Sequence, residues 1–350
     1  MKYNFVFFLS KEVIELNTKQ FLINNSLINK SKFKNILKRK NSNFLENFEL
    51  LNFIGSGSES EVYKVNIIRY NKIVAMKMIS IKNEEQEDEI NISKKLKNKN
   101  IINYYLSCKI EKSKAYCIIM DYARHGNLRD FRKNVIEKNY LSESFLCFIT
   151  SQLINGLKYI HICKITHYDL KPQNIIIDDN LNVKIIDFSV SLDYSKINET
   201  KIKLPFRGTS FYMPPEVLRN DTINIKNLNK IDLYSLGVIL FNLAFGSYPF
   251  DLKQKDIKKY DKIYKKKMKD LTINNKYNYY SSHFIDFLQK LLEKDINKRI
   301  NLYEALNHYW IKGSEILFNE KEKIYNNGIF LSYLVTDHIK NFYDYIHKIF

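Results

Sequence analysis

The texture of this chain changes near residue 127, and no fold built of one kind of element accommodates both sides. Before that point apolar residues come in short runs around turns: "FELLNFIGSGSESEVYKV" from Phe48 to Val65, "KIVAMKMI" from Lys72 to Ile79 and "AYCIIMDY" from Ala115 to Tyr122. Each run has strand length, and the first breaks at small residues, which predicts two strands joined by a tight loop. "EEQEDEINISKKLKN" interrupts them with acids early and lysines late, the order a helix dipole favours. Beyond residue 127, "SESFLCFITSQLINGLKYIHIC" repeats apolar residues at spacings of three and four, and "IDLYSLGVILFNLAFG" reads as another helix. Short strand-like pieces, "NIIID" and "NVKIID", lie between them. The pattern predicts an α+β chain with a small β-rich first lobe and a larger helical second lobe. At 350 residues there is length enough for both cores.

Composition narrows the function classes. Only 9 glycines and 5 prolines survive in a chain rich in Asn, Lys, Ile and Tyr, so each is expected to serve a backbone need. The net charge of +18 is spread over loops and helices without an aromatic-interleaved basic stripe, which favours a solvated surface over a nucleic-acid site. Cys108, Cys117, Cys147 and Cys163 have no CxxC spacing and no histidine cluster, so reduced thiols in an intracellular protein, cytoplasmic or nuclear, are expected. The apolar run Phe5 to Leu9 is too short for a membrane span, and no transmembrane segment is expected.

Chemistry gathers at a few positions. Gly55 and Gly57 sit at a strand turn where the missing Cβ lets backbone N–H groups approach phosphate oxygens, although a plain hairpin explains them as well. Lys77, near the end of a strand-like run, needs an anion, and Glu89 could hold it for a ligand phosphate. "KITHYDLKPQN" puts Asp169, Lys171 and Asn174 on one loop stiffened by Pro172: a proton acceptor, a phosphoryl-neutralising cation and a metal-binding amide oxygen. Asp187, after "VKII", is placed as a second metal ligand. Any one of these alone is a turn residue or cap; the four together in this order are not readily accidental.

Taken in order, "GSGSESEV", "VAMK", "HYDLKPQN", "DFS", "GTSFYMPPE", "DLYSLGV" and "DINKRI" resemble the signature set of eukaryotic protein kinases, over roughly Phe48 to Ile311. The resemblance implies the two-lobed kinase fold, with the domain at 48–311 divided into lobes at 48–122 and 123–311. It leaves 1–47 as an N-terminal extension and 312–350 as an amphipathic helical tail. It implies ATP and Mg²⁺ as cofactors, with Asp169 as base and Lys171 beside it, and with Asn174 and Asp187 on the metal. ATP would lie against Ile54, Gly55, Gly57, Val62, Ala75, Lys77, Glu89, Met120, Asp121, Ala123 and Ile176. Met120 corresponds to the gatekeeper and Asp121 to Ala123 to the hinge. Glu216 with Arg299, and Asp232, match architectural positions. Lys171 and Thr209 are similar to those of serine/threonine kinases, which implies a protein Ser/Thr substrate.

Four positions depart from the family. Tyr168 stands where many relatives carry an arginine that holds an activation-segment phosphate, so phosphorylation at Ser195 or Thr200 is expected to be dispensable. Ser189 replaces the glycine after Asp-Phe, and Ser60 the third glycine of the phosphate loop. Ser93 falls where an aliphatic residue is usual. The short Lys77–Glu89 spacing adds the expectation that a partner, or the N-terminal extension, presses that helix inward. An alternative class is an ATP-binding scaffold without activity, and a third is a small-molecule kinase, which "GTSFYMPPE" argues against. The lysine-rich stretch 253–269 reads as a solvated surface.

Overall fold

The computed structural model describes residues 47–57, 60–80, 85–110, 115–124, 126–135, 141, 143–178, 182–250 and 280–312. The expectations for the N-terminal extension to residue 46, the stretch 253–269 and the tail from 313 lie outside these residues. The chain divides into two compact units, one of residues up to 97 with 102–124, the other of 98–101 with 125 onward.

Among the described residues the first unit is a five-stranded antiparallel sheet with one α-helix. Its strands are β1 (Phe48–Ser56), β2 (Ser60–Ile67), β3 (Lys72–Ser80), β4 (Tyr104–Ile110) and β5 (Ala115–Met120), in the spatial order β1-β2-β3-β5-β4. Strict alternation in β2 sends Tyr63, Val65 and Ile67 to one face, where they join Phe48, Leu50, Val74, Met76, Met78, Cys117 and Ile119 in an apolar cluster. The central strand β3 is buried on both faces over most of its length. On its other face Ile79 and Ile118 pack with Ile90 of the helix α1 (Glu85–Lys95). Apolar burial on both sides is what permits a run as continuous as "IVAMKMI".

In the second unit the long helices α3 (Glu143–Ile162) and α5 (Asn229–Phe245) form the core, after a short α2 (Leu128–Val135). Among the described residues the remaining helices are α4 (Pro215–Leu218), α6 (Ser282–Leu291), α7 (Leu302–Leu306) and α8 (Tyr309–Lys312). Helix α5 ends at Gly246, whose left-handed φ of 74° lets its N–H reach back to the Asn242 carbonyl at 3.0 Å. Ile225–Phe245 is long and apolar enough to cross a membrane by composition, but 78% of its apolar 18-residue stretch is buried inside the fold, as a core helix is. Short antiparallel pairs complete the unit: β6 (Ile165–Thr166) with β9 (Leu192–Asp193), β7 (Ile175–Ile177) with β8 (Val183–Ile185), and β10 (Lys201–Lys203) with β11 (Thr222–Asn224).

Asn98–Ile101 belongs to the second unit although the first surrounds it in sequence. The Asn100 amide donates to the Gln152 side chain at 3.0 Å and to the Val183 carbonyl at 2.9 Å, and Ile101 bridges Ile185. Gly156 makes room, since a Cβ there would stand 3.1 Å from the Asn100 carbonyl oxygen. Glu216 and Arg299 form a buried two-armed ion pair at 2.7 and 3.0 Å, with the guanidinium over the Tyr234 ring.

Candidate active site

In the first unit, strand register sets the side chains. Gly55 lies opposite Val62, Val62 opposite Lys77 and Lys77 opposite Ile118, so one cross-strand row spans four strands. Ala75 and Met120 are paired in the next row on the same face. Lys77 is 7% exposed, and its Nζ meets Glu89 Oε1 at 2.6 Å. The 12-residue spacing therefore suffices to bring the pair together, because α1 is 11 residues long and Glu89 is its fifth residue. Ser93, one turn on, donates its hydroxyl to the Glu89 carbonyl at 2.6 Å, so this buried polar group is satisfied within its own helix. A Cβ on Gly55 would meet nothing within 4 Å, and neither Gly55 nor Gly57 has a positive φ. Among the described residues nothing demands glycine at 55, and the space beside it is open. Ile54 is 48% exposed beside it.

The strand end after Met120 is held by a network that the sequence did not reveal. Asp121 accepts the Asn103 amide at 2.8 Å and the Tyr105 hydroxyl, and its backbone N–H donates to the Asn103 carbonyl at 3.1 Å. Lys72 rests its ammonium over the Tyr105 ring, 4.5 Å from the centroid. Burial pushes the Tyr105 phenol far up, with the Asp121 charge adding to it; burial pulls Lys72 down, and Asp121 partly restores it. With its side chain so engaged, Asp121 has a fixed backbone running into the half-buried Tyr122 and Ala123.

In the second unit the loop Ile165–Asn174 is fixed from below by Asp232, which is wholly buried. Its carboxylate accepts the backbone N–H groups of His167 at 2.9 Å and Tyr168 at 3.0 Å, and bonds the His161 ring at 2.8 Å. These bonds hold Tyr168 at a φ of 67°, a conformation a side chain resists. Asp169 follows. Its Oδ2 accepts Lys171 Nζ at 2.6 Å and the Asn174 amide at 3.2 Å, while its Oδ1 is buried without a hydrogen-bond partner. Lys171 also reaches the Thr209 hydroxyl at 2.8 Å. The Asn174 nitrogen faces the Asp169 carbonyl at 2.9 Å, which turns its amide oxygen away. Ile176 is buried in β7, two residues on.

Asp187 has a φ of 67°, and Phe188 after it is buried against the His167 ring at 5.1 Å. Ser189 is exposed and lacks a positive φ, so its Cβ costs nothing here: in this stretch the backbone strain falls on Asp187. Tyr168 is 3% exposed in an apolar cluster with Leu204, Met213, Val217 and Ile231, and its hydroxyl is buried without a partner. The Arg207 guanidinium lies 5.9 Å from its ring centre. Burial drives the Tyr168 phenol far above its usual range, and the Arg207 charge offsets only part of that. Gly208 follows Arg207 at a φ of 101°, where an added Cβ would stand 2.4 Å from the Tyr168 carbonyl oxygen.

Sequence reasoning did not single out Gly208, Arg207, Tyr105 or Asn103. For Gly208 a signal existed, since it is one of nine glycines in a chain that spends few. Among the described residues, no group of three or more His, Cys, Asp and Glu side chains lies together as a metal site.

Comparison with known proteins places these residues in a context. The general description of the protein kinase domain matches residues 48–311. The MAP kinase kinase MKK1/SSP32 of Saccharomyces cerevisiae is 29% identical over 288 residues, covering 78% of this chain and 55% of the yeast protein. Two Dictyostelium discoideum proteins, the serine/threonine-protein kinases dst2 and pakH, are 32% and 31% identical. They cover 80% and 77% of this chain but 23% and 50% of their own lengths. The chain thus spans about half the length, or less, of these relatives.

Proposed function

Because the chain belongs to the protein kinase family, we propose that it is an active serine/threonine protein kinase, transferring the γ-phosphate of ATP to a protein hydroxyl. The observation that carries this reading is the Asp169 carboxylate. One oxygen is held by Lys171 and Asn174, which fixes its direction, and the other is buried and unpartnered, which suits an acceptor for a hydroxyl proton. Lys171 bridges Asp169 and Thr209 and supplies positive charge where phosphate would be transferred.

In the first unit, Lys77, aimed by Glu89, would hold phosphate oxygens, and the open space at Gly55 fits a phosphate approaching backbone N–H groups. Ile54, Val62, Ala75 and Met120 supply an apolar surface for the base, and the backbone of Asp121 to Ala123 its polar contacts. The donor set suits magnesium: the Asn174 amide oxygen and the Asp187 carboxylate are hard oxygen ligands, and two protein ligands are what this ion takes when phosphates and water complete its shell. Bound there, magnesium would neutralise phosphate charge. Inside a reducing cell the four cysteines would stay as the free thiols they are here.

The test is phosphate transfer from radiolabelled ATP and Mg²⁺ to basic and acidic protein substrates and to the chain itself, with Asp169→Asn alongside. Transfer is expected in the parent and a loss of about 10²–10⁴-fold in the variant, with the nucleotide-dependent thermal shift kept in both. A folded parent that binds ATP and transfers nothing would favour the scaffold instead.

A further inference from the structure

We propose that Cys108 and Cys117 are a redox-modifiable pair that closes to a disulfide under peroxide, a site separate from phosphate transfer. The two residues are direct partners across β4 and β5, and their register is fixed on both sides by Ser107 opposite Ile118 and Lys109 opposite Tyr116. Directly opposed residues on antiparallel strands share a face, with Cα atoms about 4.5 or 5.5 Å apart according to the pair type. Either separation falls within the span of about 4.4–6.8 Å that a disulfide bridges.

The two thiols differ in the way such a step requires. β4 is the edge strand of the sheet and Cys108 is half-buried at the rim of the apolar cluster, while Cys117 is fully buried within it. A reagent from solvent therefore meets Cys108 first. The neighbouring thiols act on each other: the proximity of Cys117 pulls Cys108 below its ordinary range, while that of Cys108 together with burial pushes Cys117 well above. Cys147 offers no such arrangement, since its sulfur lies 3.0 Å from the Trp310 carbonyl oxygen.

The chemistry balances with hydrogen peroxide as oxidant. The Cys108 thiolate attacks one peroxide oxygen, the O–O bond breaks, hydroxide departs and a sulfenic acid forms. The Cys117 sulfur then attacks the Cys108 sulfur, the S–O bond breaks, and the Cys117 proton leaves with the departing hydroxide as water. Two thiols become one disulfide and the peroxide is reduced to two waters; a dithiol reductant reverses the bond by exchange. The product pins the edge strand to the strand that leads into Met120.

The folded full-length chain would be treated with hydrogen peroxide, quenched with catalase, unfolded in N-ethylmaleimide and digested with trypsin without reduction. Because Lys109 lies between the two cysteines, cleavage leaves Cys108 and Cys117 on separate peptides unless they are linked. Mass spectrometry is expected to find the linked peptides, two hydrogens lighter than the free pair, with Cys147 and Cys163 alkylated and the link removed by dithiothreitol. In Cys108→Ser, Cys117 is expected to stay reduced over the same time. Cys108 carried onward to sulfinic acid with Cys117 still a thiol, or a link between two chains in place of one within a chain, would overturn the proposal. So would Cys117 oxidising as fast without Cys108 as with it.

Discussion

A single added carbon at Gly208 would collide with the carbonyl of Tyr168, a backbone atom that cannot swing aside. Gly208→Ala must also hold a φ of 101° that a side chain rarely adopts. It is expected to cost about 1–3 kcal/mol in thermal or urea unfolding. It should also reduce phosphate transfer more than nucleotide binding, because the disturbed carbonyl directly precedes Asp169. At this scale the sequence was partly legible. Asp169, Lys171 and Asn174 could be read because they lie on one loop, and Lys77 and Glu89 because a buried lysine needs an anion. Arg207 could not, since its importance comes from Tyr168, some forty residues earlier; the scarcity of glycine marked Gly208, but not what its Cβ would strike. The tie between Asn103, Tyr105 and Asp121 is likewise a matter of strand pairing.

The activation segment is held as an element. Its β9 and β10 each pair with another strand, the Leu204 N–H donates to the Asp221 carbonyl at 2.9 Å, and Leu204 and Ile202 pack with Tyr168. Ser195 and Thr200 are exposed. Where an arginine would wait for phosphate, apolar packing around Tyr168 already holds the segment. The double variant Ser195→Ala, Thr200→Ala is therefore expected to keep phosphate transfer, as is a phosphatase-treated parent. Transfer lost in both would show that phosphate, and not this packing, orders the segment. Long elements such as α3 and the strands of the sheet were legible from their periods. The two- and three-residue strands β6, β9, β10 and β11 are too short to show one, and only their partners define them.

Across the whole molecule, Glu143 draws three helices together. At the start of α3 it accepts the backbone N–H of Ser281 at 2.7 Å, at the cap of α6, and the indole N–H of Trp310 in α8 at 2.8 Å. Burial holds its carboxyl above the ordinary 4.5, against the pull of those donors. The folded state then binds the proton more tightly than the unfolded one, so this contribution to stability is full below pH 4.5 and is lost as pH rises through the folded-state value. Glu143→Gln keeps an acceptor without the charge and should gain stability over the parent as pH rises from 4.5, read as urea midpoints. The placement of Asn98–Ile101 has a consequence of another kind. Asn100 leaves the ribosome long before Gln152 and Val183, the residues that hold it. Until those residues emerge, the loop lacks the partners that hold it in the folded chain. No single cut in the gene parts the two units cleanly: a cut after residue 124 leaves 98–101 with the first unit, and a cut after residue 97 leaves 102–124 with the second.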